Sequence, residues 1–141
     1  MSGVDFLDSN VLIYTIDAAH PEKRATAKAI VADSIARQAA VISFQVVQET
    51  LQVITRKFRV ILKDADAAQF LADVLVPLWK VQPSPALYEK ALEVQSGQKL
   101  SFYDSLVVAA ALEAGCKRLL SEDLQHGQRI GGLRIENPFG T

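Results

Sequence analysis

The sequence predicts an α/β fold, a three-layer α/β/α sandwich around a central, mostly parallel sheet. Two observations carry this expectation. Short apolar β-type runs alternate with longer segments of helical periodicity, and such alternation implies crossover connections and a sheet covered on both faces. The helical segments also bring their own start and stop residues, which sets the elements in order.

Val4 to Asp8 reads as the first strand, with a helix starting around Ser9 or Asn10. Pro21 opens a second helix over about residues 22–37, because proline suits the first helical turn. Ala40 to Ser43 is a short β-type run. Phe44 to Phe58 follows as a helix with apolar residues at Val46, Val47, Ile54 and Phe58. Asp64 is positioned to cap a helix that ends before Pro77. Trp79 to Val81 is a candidate strand, and Ser84 starts a helix running to about Ser96, with Gly97 after it. Ser101 begins a helix to Ala114, closed by Gly115, the residue type best suited to a left-handed cap. Arg118 to Ser121 and Leu133 to Ile135 are the closing strands.

At 141 residues, with 50% hydrophobic and 22% charged, the chain has the size and composition of one compact domain over residues 1–141. It has no linker-like tract and no internal repeat. The most apolar segment, Leu106 to Leu112, is far too short to span a bilayer, and no signal-type N-terminus is visible. The single cysteine, Cys116, has no internal partner, which fits a reducing compartment and makes the cytoplasm the expected location. A net charge of −1 gives no global positive field for nucleic acid. Arg56, Lys57, Arg59 and Lys63 form one local basic cluster, which alone reads as a solvated helix end favoured by the helix dipole.

Ligands in parallel sheets bind beyond the carboxyl ends of the strands, so that edge is where chemistry is expected. Asp8 stands where the first strand ends. Helices that cross back over the sheet start at this edge, which brings Asp104 there, in the first turn of its helix. Strand 118–121 returns to the same edge and delivers Ser121-Glu122-Asp123. Glu49 lies about 9 Å along its helix, within side-chain reach of the same crevice. Carboxylates converging without matching Lys or Arg repel one another unless cations are bound. Hard oxygen ligands favour Mg²⁺ or Mn²⁺, ions that activate water and stabilise charge developing on phosphate.

Each acid also has a plain structural reading. Asp8 suits a helix cap, Glu49 a surface position at the margin of an apolar stripe, and Glu122-Asp123 an ordinary turn. Ser101 to Asp104 fits a capping box, yet Asp104 is the only charge between Leu100 and Leu112. A helix apolar nearly all round is expected to be buried, and an acid on it needs a partner. The convergence of the four, rather than any one of them, points to phosphodiester hydrolysis. His20 and His126 lack metal-ligand spacing and read as surface histidines. Ser9, Ser43 and Ser105 have no adjacent base, Gly131-Gly132 is no phosphate loop, and Cys116 reads as a structural thiol.

The residues Phe6 to Tyr14, Gln48-Glu49, Ser101 to Leu106, Leu119 to Leu124 and Ile135 to Phe139 together resemble PIN-domain ribonucleases. The likeness is to VapC-like toxins of toxin–antitoxin pairs, and it covers nearly the whole chain. It implies a parallel α/β/α sandwich and Mg²⁺- or Mn²⁺-dependent endoribonuclease activity on RNA. It also implies inhibition by a cognate antitoxin protein, and homodimers. By this resemblance Asp8, Glu49, Asp104 and Asp123 match the metal-binding acids, with Asn10 and Ser121 in supporting positions. Relatives often carry Thr-x-Asp where this chain has Ser121-Glu122-Asp123. Asp123 is the better match, with Glu122 the alternative ligand. Arg56, Lys57 and Arg59 are then candidates to guide the RNA backbone. Two rival readings are a non-catalytic metal- or protein-binding module and a phosphotransfer domain using Asp8 as nucleophile. Asn10 opposes the second, since dehalogenase-like phosphatases carry an Asp two positions after the first.

Overall fold

The computed structural model describes residues 4–58 and 62–140. The sequence-predicted strands and helices form around one six-stranded sheet. The chain runs β1 (Asp5–Leu7), α1 (Ser9–Tyr14), α2 (Pro21–Arg37), β2 (Ala40–Ser43), α3 (Phe44–Lys57) and α4 (Asp64–Phe70). It continues through a π-helical turn (Leu71–Leu75), α5 (Val76–Leu78), β3 (Trp79–Val81), α6 (Pro85–Gln98) and α7 (Phe102–Glu113). The last elements are β4 (Arg118–Leu120), β5 (Arg129–Ile130) and β6 (Leu133–Glu136).

The strand order is β3-β2-β1-β4-β6-β5. All pairings are parallel except β5 with β6, which form a hairpin across Gly131-Gly132. This is the expected α/β/α sandwich. The sequence after β1 builds outward through β2 and β3, and β4 then joins the other side of β1. The order therefore reverses between β1 and β4, and the crevice above their carboxyl ends is where such sheets bind ligands.

Phe6, Leu7, Ile42, Leu119, Leu120 and Ile135 supply the strand side of the core. They are covered by helices that include α7, whose residues Ser105 to Ala111 are all buried, as its apolar sequence requires. Its end is a Schellman motif: Gly115 N–H bonds Leu112 O, Cys116 N–H bonds Ala111 O, and Gly115 takes φ 73°. At the amino ends of the strands, Arg118 makes a two-pronged pair with Asp5 at 2.9 and 2.6 Å. It also reaches Glu136 at 2.8 Å, so one guanidinium ties β1, β4 and β6 in register.

Three expectations are corrected. The helix starting at Asp64 does not stop before Pro77; it passes through the π-helical turn, which resets the hydrogen-bond register so that Pro77 falls at the start of α5. A proline there needs no N–H donor. Asp64 is not the cap of α4: Lys63 precedes the helix and its N–H is held by Asp66 Oδ2 at 3.1 Å. Gly97 lies inside α6, and the left-handed position after the helix is taken by Lys99 at φ 55°.

Leu119 is fully buried between the central strands. Leu119→Ala is expected to lower unfolding stability by about 2–5 kcal/mol in urea titration. A loss below about 1 kcal/mol would mean that this part of the core is not closely packed.

Candidate active site

The register of β1 with β4 pairs Leu7 with Leu120, so the next residues, Asp8 and Ser121, leave the sheet side by side. Asp8 N–H bonds Leu120 O at 3.0 Å, and Ser121 N–H bonds Glu136 O at 2.9 Å. The Asp8 side chain turns back to cap α1, with Oδ1 accepting from Ser9 N–H at 2.8 Å. Its Oδ2 accepts from the buried Ser121 hydroxyl at 2.7 Å. Ser121 Oγ in turn accepts Asp123 N–H at 3.1 Å, which fixes the turn carrying Asp123.

Asn10 completes this hub. Its amide nitrogen lies 3.3 Å from Asp123 Oδ2, 3.3 Å from Ser121 Oγ and 3.5 Å from Asp8 Oδ2. Its Oδ1 accepts Glu122 N–H at 3.1 Å. One neutral side chain therefore spaces two carboxylates and holds the turn from below.

Burial pushes the Asp8 carboxyl up to about 6, against the hydrogen bonds from Ser121 and the Ser9 backbone. The charges of Glu49 and Asp123 push it the same way. Burial also raises Glu49, opposed by hydrogen bonds from Gln45 and Ser9 and reinforced by the charges of Asp104 and Asp123. Asp8, Glu49, Asp104 and Asp123 thus share one electrostatic environment. Among the described residues, none of the four is in an ion pair.

Asp104 N–H donates to the capping Ser101 Oγ at 3.1 Å, but its carboxylate makes no hydrogen bond among the described residues. The reciprocal half of a capping box is missing, and that carboxylate is left facing the other acids. Glu49 is held by Gln45 Nε2 at 3.3 Å, and the same amide donates to Tyr103 O at 3.1 Å. Gln45 is a residue that sequence reasoning missed. Its spacing of four from Glu49 on one helix was the available signal.

A family model described as a PIN domain matches residues 6–129. The chain belongs to the PIN-domain family. Several solved structures share its fold. A toxin–antitoxin complex from Klebsiella pneumoniae superposes with TM-score 0.69 at 17% identity, covering 97% of this chain and 99% of that one. VapC20 from Mycobacterium tuberculosis, described as a sarcin–ricin loop cleaving toxin, gives TM-score 0.59 at 22% identity, with 84% and 91% covered. VapBC2 from Rickettsia felis, bound to a DNA fragment from its promoter, gives 0.67 at 17%, with 95% and 98% covered. No curated protein sequence matches the chain.

Within this PIN domain, Glu122 and Asp123 point apart. Glu122 accepts from Tyr14 Oη at 2.6 Å and pairs with Lys23 Nζ at 2.6 Å, contacts that hold its carboxyl below the usual range. Asp123 faces Asn10 and the acids. Lys23 and Tyr14 went unnoticed in the sequence, where nothing marks a pairing across 99 residues. His20 is half-exposed, as expected of a surface histidine, and bonds the buried Asp17 at 2.9 Å. Arg56 and Lys57 are exposed at the far end of α3; Arg59 lies outside the described residues.

The donor set suits a hard divalent cation. Among the described residues, no three His, Cys, Asp or Glu side chains close on a single point. Ions of the Mg²⁺ type keep several waters and take one or two carboxylates directly, which such spacing accommodates.

Because folding raises the Asp8 pKa from 3.8 to about 6, the protonated form is the one the fold favours. Its contribution is full below pH 3.8 and is lost as pH rises through about 6. In chelator, the stability of the wild type relative to Asp8→Asn is expected to fall by about 2 kcal/mol between pH 4 and pH 7. Thermal or urea unfolding across that range reads it, and parallel curves for the two proteins would refute the raised pKa.

Proposed function

We propose that this PIN domain is a divalent-metal-dependent endoribonuclease that hydrolyses RNA phosphodiester bonds, acting as the toxin of a toxin–antitoxin pair. The observation that carries the reading is the group of four acids at the β1–β4 crevice, where burial and neighbouring carboxylates raise Asp8 and Glu49, with no ion-pair partner for any of the four among the described residues. The names of its structural neighbours, a toxin–antitoxin complex and a loop-cleaving toxin, agree with that reading.

Asp8, Asp104 and Asp123 would hold Mg²⁺ or Mn²⁺, with Glu49 as a further ligand or as the base that orients the attacking water. When bound, the cation lowers the pKa of water and offsets charge developing on the phosphate. The chain's own residues prepare this. Ser121 and Asn10 fix Asp8 and Asp123, while Gln45 aims Glu49. Glu49, its carboxyl raised above the usual range by partial burial, is a stronger base than a free glutamate for taking a proton from water. Arg56 lies seven residues beyond Glu49, on the same helical face and about 10 Å further along. With Lys57 and Arg59 it would meet the RNA backbone, making binding salt-sensitive.

A cognate antitoxin, a homodimeric assembly and a cytoplasmic location complete the proposal. Among the described residues no helix is long and apolar enough to cross a membrane. The Asp8 nucleophile reading is weakened, because both Asp8 oxygens already accept hydrogen bonds.

The test is cleavage of total cellular RNA with Mg²⁺ or Mn²⁺ by wild type and Asp104→Asn. Metal-dependent cleavage lost in the variant is expected. Equal cleavage by both would sink the role of Asp104, and metal binding without cleavage by either would favour the non-catalytic module. In the same assay Asp123→Asn should abolish cleavage, whereas Glu122→Gln lowers it by no more than roughly tenfold. The reverse order would make Glu122 the ligand.

A further inference from the structure

Gln45 stands in the first turn of α3 and is buried, with 3% of its surface exposed. Its Nε2 donates to Glu49 Oε2 at 3.3 Å and to the backbone carbonyl of Tyr103 at 3.1 Å. Among the described residues, the bond to Tyr103 is the only hydrogen bond between α3 and α7. It lands one residue before Asp104, whose charge is close enough to push the Glu49 carboxyl up. One amide therefore sets the spacing of two carboxylates carried by helices from distant parts of the chain.

The amide has only one usable orientation. Turned over, it would set Oε1 against two other acceptors, Glu49 Oε2 and Tyr103 O. In the orientation it keeps, Oε1 is buried and has no hydrogen-bond partner among the described residues. An unpaired buried acceptor costs stability, and an apolar side chain of the same length would avoid that cost. The benefit of an amide at this position lies in what its two N–H groups hold.

We propose that Gln45 determines which divalent cation the crevice accepts, holding the gap between Glu49 and Asp104 to suit Mg²⁺ or Mn²⁺ rather than Ca²⁺. This rests on the metal-dependent reading above. Four carboxylates attract any divalent ion, so charge alone does not choose among them. Mg²⁺ binds oxygen at about 2.0–2.1 Å in a strict octahedron, whereas Ca²⁺ takes more ligands at about 2.3–2.6 Å in adaptable geometries. A gap with fixed walls penalises the larger ion, and a gap whose walls move does not. Asp8 and Asp123 are fixed by Ser121 and Asn10. Asp104 has no such support, because its carboxylate makes no hydrogen bond among the described residues. What can be held there is the backbone of the first turn of α7, and Gln45 holds it.

The experiment is isothermal titration calorimetry with Mn²⁺ and with Ca²⁺, without RNA, on wild type, Gln45→Met, Glu49→Gln and the double variant. Urea unfolding in chelator reports on the fold. Gln45→Met keeps the length of the side chain and removes the amide, so its unfolding midpoint should equal or exceed that of wild type. Its Mn²⁺ affinity is expected to fall by about 10-fold to about 100-fold. Its Ca²⁺ affinity should fall much less, narrowing the preference for Mn²⁺ over Ca²⁺ by about 10-fold. With Glu49→Gln already present, Gln45→Met should narrow it no further. An unchanged preference in Gln45→Met would overturn the inference, whether the two affinities stay or fall together. Equal narrowing with and without Glu49 would overturn it as well, since the amide would then act elsewhere. So would a Gln45→Met protein that does not fold, because the amide would then serve the fold. Wild type that binds neither ion would instead sink the metal-dependent reading, and the inference with it.

Discussion

Asp8 leaves β1 with its carboxylate already buried, and a buried carboxylate is tolerated only where other groups satisfy it. The Ser121 hydroxyl meets that need from the end of the neighbouring strand, and the Ser9 N–H meets it from the first turn of α1. Both donors are in place because β1 and β4 run parallel in a register that brings Leu7 level with Leu120. That register is secured at the other end of the strands by the Arg118 guanidinium. A shift of one residue would send Ser121 to the opposite face and leave Asp8 buried without its hydroxyl donor.

The same hydrogen bonds do not make Asp8 comfortable. Burial and the charges of Glu49 and Asp123 outweigh them, and the carboxyl ends up near 6. The crevice therefore stores repulsion that a bound cation would relieve, and its shape follows from this. Neutral groups, Asn10, Ser121 and Gln45, separate the acids and direct them. A lysine or arginine in those places would satisfy the carboxylates by itself and remove the attraction for a metal. Polar but uncharged supports are what a site of this kind requires.

Much of this could be read from the sequence because parallel-sheet topology has an edge that strands and helices mark in one dimension. Asp8 follows a strand, Asp104 opens a helix, and Ser121-Glu122-Asp123 closes a strand, so all of them could be placed without coordinates. Glu49 was reachable from helical rise alone. What escaped has physical causes. β5 is two residues long, too short for any period, and forms only because Gly131-Gly132 folds it onto β6. The π-helical turn before Pro77 depends on how a helix relaxes around a missing donor, which composition does not report. The left-handed residue after α6 is Lys99 although a glycine stood two positions earlier. Lys23 and Tyr14 are brought to Glu122 only by the packing of α1 and α2 beside β4.

That last cluster explains how two consecutive acids can sit at the rim without both adding to the repulsion. The turn after β4 sends Glu122 and Asp123 to opposite sides. Glu122 goes to Lys23 and Tyr14, with the Lys23 ammonium also 5.0 Å above the Tyr14 ring, and its charge is neutralised where it stands. A partly exposed ion pair of this kind adds little to stability. Its effect is directional. With Glu122 tied to α1 and α2 and its N–H held by Asn10, the peptide that follows has only one side left to face, and Asp123 faces Asp8 across Asn10. Glu122, at the middle position of Ser121-Glu122-Asp123, thus serves as an anchor, and Asp123 keeps its place.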